Sequence, residues 1–288
     1  MDKTKATWTI SGILTWTKQY FSEKGVDNPR LDAEVLLSHI LGKDRLYLYV
    51  NFDQPLQPAE LTAFRDAVKR RAARQPVAYI IGSKEFMGLD FKVTPAVLIP
   101  RPDTEILVET AISRLENIDT PCVLDIGTGS GAIIISVIAK LKSAQGAAVD
   151  ISNEALAVAA DNARCNGAAE RLQFYQGDLF NPVVGQKFDA VLSNPPYIPN
   201  EEIAGLEPEV RREPKLALAG GKDGLDYYRR LIDQGPAYLK PGGFMAFEVG
   251  IGQAALIADL AAKNRVLQVV EIVKDYAGID RVVVLEQR

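Results

Sequence analysis

Over the first 75 residues apolar side chains recur every three to four positions, whereas beyond about residue 120 they gather into short continuous runs alternating with helical patterns. Residues 9–24 carry apolar positions at helical spacing. In the next segment Asn28 and Pro29 supply an N-cap and a proline at the first helical position. Leu31, Val35, Leu36 and Ile40 form one stripe, and Gly42 closes the helix. A short element over 45–50 and a helix over 58–74 complete a small helical bundle, assigned to residues 1–75. The pattern breaks at Gln75-Pro76. Apolar runs at 77–81 and 89–93, punctuated by Gly82 and Gly88, predict a β-hairpin linker over 76–95. Prolines 95, 100 and 102 then prevent regular structure, and Asp103 or Thr104 is placed to cap a helix over 105–116. A proline-stiffened polar loop before a large domain is suited to lining a cleft.

From Cys122 onward strands alternate with helices. Strands are predicted at 122–126, 147–150, 172–176, 188–193, 243–249, 267–274 and 281–286, with helices at 131–142, 153–166, 224–239 and 253–263. Such alternation predicts a doubly wound α/β domain, assigned to 96–288, built on a seven-stranded mixed sheet. Only residues 275–280, with Gly278 among them, separate the last two strands. That gap is too short for a helical crossover, so the last strand should be antiparallel to its predecessor.

Composition narrows the functional classes. With 288 residues, 47% apolar and 24% charged, the chain is of ordinary globular type and has room for one large domain or two smaller ones. No apolar run approaches the roughly 20 residues that span a bilayer. The start, Met1-Asp2-Lys3-Thr4-Lys5, shows no signal-peptide core, so a cytoplasmic protein is expected. Cys122 and Cys165 fit neither a zinc pattern nor a disulfide framework and are expected to be buried thiols; no metal is implied. His39, in an apolar helical run, reads as a residue near the core rather than a catalytic base. The net charge of −4 argues against broad binding to nucleic acid, including stable DNA binding. Residues 1–75 hold 12 Lys+Arg against 9 Asp+Glu, or +3, leaving −7 for the remainder. Lys69, Arg70, Arg71 and Arg74 complement a helix dipole there and are also available for transient contact with an acidic partner or ribosomal RNA. Nothing demands an oligomer, and a monomer is expected.

Four stretches carry candidate chemistry. Ser193-Asn194-Pro195-Pro196-Tyr197-Ile198 follows a predicted strand. Its prolines fix φ and lack N–H groups, which frees carbonyl oxygens for a ligand. An amide side chain, a carbonyl and an aromatic face on a stiff turn can grip a planar –NH2 group. Asp125-Ile126-Gly127-Thr128-Gly129-Ser130-Gly131 lies between a strand and a helix, where glycines admit a nucleotide-like ligand close to the backbone. With Ala132 in last place it also satisfies a dinucleotide pattern, which keeps a nicotinamide enzyme open as a rival. Asp150 ends the second strand, where an acid can accept from two ribose hydroxyls or simply cap the next helix. Asp178 and Leu179 follow the third, suited to an adenine amino group and ring or to an ordinary turn.

In this order the motifs resemble those of the class I S-adenosylmethionine-dependent methyltransferases, and more narrowly the PrmC/HemK family of protein-(glutamine-N5) methyltransferases that modify peptide chain release factors. The resemblance extends to the stretches beginning at Pro76, Leu98, Glu213, Pro241 and Asp275, and so to nearly the whole chain. It implies that Gly127, Thr128, Gly129, Ser130 and Gly131 wrap the methionine end of S-adenosylmethionine, Asp150 holds the ribose, Asp178 and Leu179 face the adenine, and Asn194 adjoins the cofactor. It implies further that Asn194, Pro195, Pro196 and Tyr197 receive and activate the substrate glutamine of a Gly-Gly-Gln loop, that Arg101 and Pro102 contribute to substrate binding, and that the helical domain docks the release factor. An amide nitrogen is a weak nucleophile, and acceptors for both of its protons would orient it and stabilise developing positive charge. Three further readings stay open at this level: a ribosomal-protein glutamine as target, an adenine-N6 DNA methyltransferase that solves the same geometric problem for an exocyclic amine, and a non-catalytic cofactor- or RNA-binding module.

Overall fold

The computed structural model describes residues 8–288; the leading segment, with the start of the 1–75 assignment, lies outside the described residues. Two units emerge, one extending to Gly82 and including Pro208–Arg212, the other formed by Ser83–Glu207 and Glu213–Arg288.

The first unit contains helices α1 (Ile10–Glu23), α2 (Pro29–Leu41), α3 (Arg45–Val50), α4 (Pro58–Ala72) and α5 (Val77–Ile81). The Thr9 hydroxyl accepts from the Gly12 N–H to cap α1, Asp44 caps α3, and the Glu60 carboxylate accepts from the Gln57 N–H at the start of α4. The core is built from Ile10, Phe21, Leu36, Leu37, Leu48, Phe64 and Val68. In α2 the inward face is Ala33, Leu36 and Leu37, not the expected stripe: Leu31 is exposed and Val35 only half-buried. Asn28 makes no side-chain cap, and His39 is exposed in the last turn rather than near the core. Arg70, Arg71 and Arg74, at and just past the end of α4, have partners within this unit. Buried Arg71 donates to Asp32 and Glu209, each at 2.6 Å, Arg74 donates to Glu209 at 2.7 Å, and Arg70 donates to Gln75 and to the Tyr79 carbonyl.

The expected hairpin strand at 77–81 is instead α5, a single helical turn. Pro76 starts the turn and Gly82, at φ 86°, ends it by donating its N–H to the Ala78 carbonyl at 2.7 Å. Val77, Ile80 and Ile81 pack on the bundle core, so their β-branched preference yields to burial. The hairpin itself is β1 (Ser83–Phe86) and β2 (Leu89–Lys92), turning through Met87 and Gly88 at φ 54° and 76°, and it lies in the second unit with Phe86 and Phe91 buried.

The second unit continues with α6 (Glu105–Leu115), β3 (Cys122–Ile126), α7 (Ala132–Lys140), β4 (Gln145–Asp150), α8 (Asn153–Cys165), β5 (Leu172–Gln176), β6 (Phe188–Ser193), α9 (Asp226–Gln234), β7 (Leu239–Glu248), α10 (Ala254–Lys263), β8 (Leu267–Lys274) and β9 (Asp280–Gln287). The sheet order is β5-β4-β3-β6-β7-β9-β8, parallel through β7, with β9 antiparallel to both of its neighbours. Strands near the centre are continuous apolar runs because helices cover both faces. Ala132 through Ile138 of α7 are all buried, and Gly146 of β4 lets that helix approach: a Cβ there would lie 2.9 Å from Ile134 Cδ1. Three local expectations change. The 224–239 helix ends at Gln234 and becomes a 3₁₀ turn at Gly235–Tyr238, where Pro236 breaks it. Cys165, at the end of α8, is exposed, and Cys122 is only half-buried. Pro102–Thr104 is itself a 3₁₀ turn, so neither Asp103 nor Thr104 caps α6, and both side chains go elsewhere.

Among the described residues no helix is long and apolar enough to cross a membrane, and no cluster of His, Cys, Asp and Glu is arranged to hold a metal ion.

Candidate active site

Strand order reverses between β4-β3 and β3-β6, and a cavity of about 320 Å³ opens at the carboxyl ends of these strands. It is lined by Gly127, Thr128, Gly129 and Ser130 after β3, Asp150 after β4, Asp178 and Leu179 after β5, and Asn194, Pro195 and Pro196 after β6. Arg101 and Thr104 line it from the proline-rich loop. Gly131, Pro102 and Tyr197 do not reach the lining.

The glycine loop is bound to the end of β4. The N–H groups of Gly127 and Thr128 both donate to the Val149 carbonyl, at 2.8 and 3.0 Å, and that of Gly129 donates to Asp150 Oδ2 at 2.8 Å. Gly127, Gly129 and Gly131 all have positive φ, at 73°, 55° and 81°. Gly131 has a packing role, since a Cβ there would lie 2.6 Å from Ile135 Cδ1 and 3.2 Å from Ala159 Cβ. Asp150 accepts from Ser152 N–H through its other oxygen, at 2.9 Å, so it stabilises the turn and lines the cavity at once. Burial raises its pKa, partly opposed by those N–H donors. Asp178 pairs with Arg230 at 2.6 Å, and Leu179 is buried at φ 51°, an unfavourable backbone for a branched side chain.

Asp125 lies wholly beneath the loop. Thr128 Oγ donates to its Oδ2 at 2.6 Å while Oδ1 has no partner, and burial pushes the carboxyl up to about 7, with Asp150 adding to the shift. The unfolded chain has an ordinary carboxylate near pH 4. The folded state therefore binds the extra proton between about pH 4 and 7, and the stability this contributes is lost as pH rises through 7. Asp125→Asn should accordingly become more stable relative to the wild type from pH 4 to pH 8. A Tm difference that stays constant over that range would refute the assignment.

Asn194 projects from the end of β6, where Ser193 Oγ donates to the Ile126 carbonyl at 2.7 Å and ties β6 to β3. Its Nδ2 donates to Thr104 Oγ at 3.2 Å, and Glu248, at the end of β7, is the next residue along the neighbouring strand. Burial raises Glu248 to about 7. Nearby, Arg281 donates to Asp275 at 2.9 Å and pairs with Asp103 at 3.2 Å. Arg101 pairs with buried Glu213, which also accepts from the Ile99 N–H at 3.0 Å, and this joins the proline-rich loop to the segment starting at Glu213. Tyr197 is half-buried against the core and next to Gly250, and burial pushes its hydroxyl up to about 12, too high for a general base. The chain after it is held by short parallel pairing: Ile198 N–H donates to the Leu218 carbonyl, Gly220 N–H to the Ile198 carbonyl, and Asn200 N–H to the Gly221 carbonyl.

Sequence reasoning missed Thr104, Glu213 and Glu248. The one available signal for Glu248 was an acid ending an otherwise apolar strand, Phe244-Met245-Ala246-Phe247-Glu248.

Comparison with known proteins agrees with this architecture. Residues 12–82 match the PrmC N-terminal domain and residues 102–206 the methyltransferase small domain. A release factor glutamine methyltransferase from Geobacter sulfurreducens is 50% identical over 277 residues, covering 96% of each chain. One from Moorella thermoacetica is 47% identical over 257 residues, covering 89% of this chain and 91% of its own. Among solved structures, a ribosomal protein L11 methylase from Lactobacillus delbrueckii subsp. bulgaricus superposes with a TM-score of 0.50 at 22% identity, covering 65% of this chain and 80% of its own, which supports the fold alone.

Proposed function

The chain belongs to the family of release factor glutamine methyltransferases, and from that premise we propose that it uses S-adenosylmethionine to methylate the side-chain amide nitrogen of the Gly-Gly-Gln glutamine in a peptide chain release factor. The observation that carries the site assignment is Asn194. Its amide nitrogen donates to Thr104 Oγ at 3.2 Å, so the end it offers a ligand is its oxygen.

The residues present fit the cofactor. Positive-φ glycines leave room beside the loop, and Asp150 places a carboxylate at the cavity wall. Gly127, Thr128, Gly129 and Ser130 would hold the methionine end, with Gly131 shaping the loop behind them. Asp150 would hold the ribose, Asp178 and Leu179 the adenine, and Asn194 would border both ligands. When bound, S-adenosylmethionine supplies an electrophilic methyl group on a sulfonium.

The chain's own part is orientation. The Asn194 oxygen and the Pro195 carbonyl accept the two protons of the substrate amide, and Pro196 keeps the turn stiff. As positive charge develops on the nitrogen those contacts strengthen. Tyr197 acts from behind, anchoring the turn in the core, and Arg101 and Pro102 shape the substrate entrance. We assign release factor docking to the helical unit, a monomeric working state, and the cytoplasm, where translation factors act.

The test is transfer of labelled methyl from S-adenosylmethionine to an unmethylated release factor, beside a Gly-Gly-Ala version and a DNA duplex, with the product located by mass spectrometry. Label on the loop glutamine alone is expected. Label on DNA, or on no substrate, would overturn the proposal.

A further inference from the structure

We infer that Arg230 is a positioning residue for the cofactor's adenine, holding the Asp178 carboxylate in the pose that reads the exocyclic amino group. The inference rests on the role proposed for Asp178 and identifies what makes that role selective. A carboxylate on a turn beyond a strand end is free to swing, and a swinging acceptor loses part of its binding energy when a ligand must immobilise it. The Asp178 side chain is 42% exposed, so packing alone does not hold it.

The backbone beneath it is fixed. Gly177 N–H donates to the Asp150 carbonyl at 3.0 Å, and Asn181 N–H donates to the Asp178 carbonyl at 3.2 Å. A Cβ at Gly177 would lie 2.9 Å from Cδ and Cγ of Pro182, so the turn packs closely on that ring. What remains mobile is the carboxylate itself, and Arg230 Nη2 donates to its Oδ2 at 2.6 Å. Among the described residues no second group donates to this carboxylate, which leaves Oδ1 open. Asp178 lines the cavity and Arg230 does not, so the arginine acts through the acid.

Helix α9 presents the guanidinium from a rigid support. Tyr228, Leu231 and Ile232 are buried, the Tyr228 hydroxyl donates to the Glu248 carbonyl at 2.7 Å, and Asn264 Nδ2 donates to the Ile232 carbonyl at 2.8 Å. Arg229, the preceding residue of α9, pairs instead with Asp223 and Asp226, neither of which lines the cavity. Stability is a weak reason for the Arg230–Asp178 pair. Both side chains are about two-fifths exposed, and ion pairs in that setting contribute little to folding. Its effect falls on the ligand. An amino group gives a proton to the open oxygen, whereas a 6-oxo group in its place sets oxygen against oxygen. Held still, Asp178 rejects the second; released, it swings aside. Arg230 thereby widens the discrimination between the adenine and hypoxanthine forms of the cofactor.

The experiment uses the full chain and calorimetric dissociation constants for S-adenosylhomocysteine and its hypoxanthine counterpart, S-inosylhomocysteine, with Arg230→Ala, Arg230→Lys, Asp178→Ala, the Asp178→Ala/Arg230→Ala double variant and Arg229→Ala. Arg230→Ala should weaken S-adenosylhomocysteine by about threefold to tenfold, the range for one lost hydrogen bond, and should narrow the preference for the adenine form by a similar factor. Arg230→Lys keeps a charged donor and should restore part of both. Once Asp178 is alanine, removing Arg230 should add nothing, and Arg229→Ala should match wild type. Equal weakening of both ligands in Arg230→Ala, or an undiminished preference for the adenine form, overturns the inference. If Asp178→Ala binds S-adenosylhomocysteine as well as wild type does, the adenine assignment falls and the inference with it; a weakened Asp178→Ala beside an unaffected Arg230→Ala defeats the positioning role alone.

Discussion

Asn194→Ala is expected to lower turnover on the release factor by about a thousandfold, the upper range for deleting one preorganised polar contact in a transition state. Its affinity for S-adenosylmethionine should stay within about threefold of wild type. The asymmetry follows from the position of the side chain. The cofactor contacts proposed above are spread over the glycine loop, Asp150, Asp178 and Leu179, which all line the cavity at the ends of β3, β4 and β5. Asn194 follows β6, and its oxygen is the acceptor left after its nitrogen donates to Thr104. Alanine removes that acceptor and leaves the loop backbone in place. It also removes the hydrogen bond to Thr104, so a modest fall in Tm should accompany the loss. Single-turnover transfer of labelled methyl, read beside a calorimetric titration of the cofactor, separates the two quantities. Equal losses in both would show that Asn194 serves cofactor binding, and the proposed role would fall.

Much of the architecture was legible because the informative positions are local. The bounds of β3, β5, β6 and β8 coincide with those predicted from short segments rich in apolar residues, and the short gap at 275–280 was enough to fix the direction of β9. The glycine loop could be read because each of its glycines sits at a turn that a side chain resists. Long-range relations were not legible. Val77, Ile80 and Ile81 look like a strand, and only the bundle they pack on makes them a helical turn. An acid at the end of an apolar strand marks Glu248 only weakly, and its place beside Asn194 depends on β6 and β7 being neighbours in a particular register. Tyr197 shows the same limit: its aromatic ring beside an asparagine suggests a stacking surface for the substrate, and the structure places it half-buried against the core, outside the cavity lining. Asp103 likewise looks like a cap until Arg281, 178 residues along the chain by the numbering of the sequence, becomes its partner.

The motif stretch from Glu213 onward makes no entry into the chemistry as read from sequence, yet its glycines hold the Asn194 turn in place, and Gly224→Ala should show this. At φ 77° any side chain pays about 1 kcal/mol of backbone strain. The larger cost is spatial: a Cβ at Gly224 would lie 2.3 Å from the Tyr197 carbonyl oxygen and 2.7 Å from Gln253 Nε2. These are the two ends of one hydrogen bond, in which the Gln253 amide donates to the Tyr197 carbonyl at 2.9 Å. The added methyl group therefore breaks that bond and pushes the backbone three residues beyond Asn194. Gly220 guards the same strand of chain, since a Cβ there would lie 2.7 Å from Tyr197 Cα. A displacement of about 1 Å at a positioning group costs on the order of a hundredfold in rate, so kcat should fall by about that factor with cofactor affinity largely retained. Gly185→Ala is the control. At φ 85° it carries the same backbone strain, but nothing lies within 4 Å of its Cβ, so its turnover should match wild type despite a comparable strain penalty in Tm. If the two variants lose turnover equally, strain alone accounts for both and the 213–224 segment has no part in holding the site; if Gly224→Ala alone loses turnover, the turn that carries Asn194 is held from outside its own sequence.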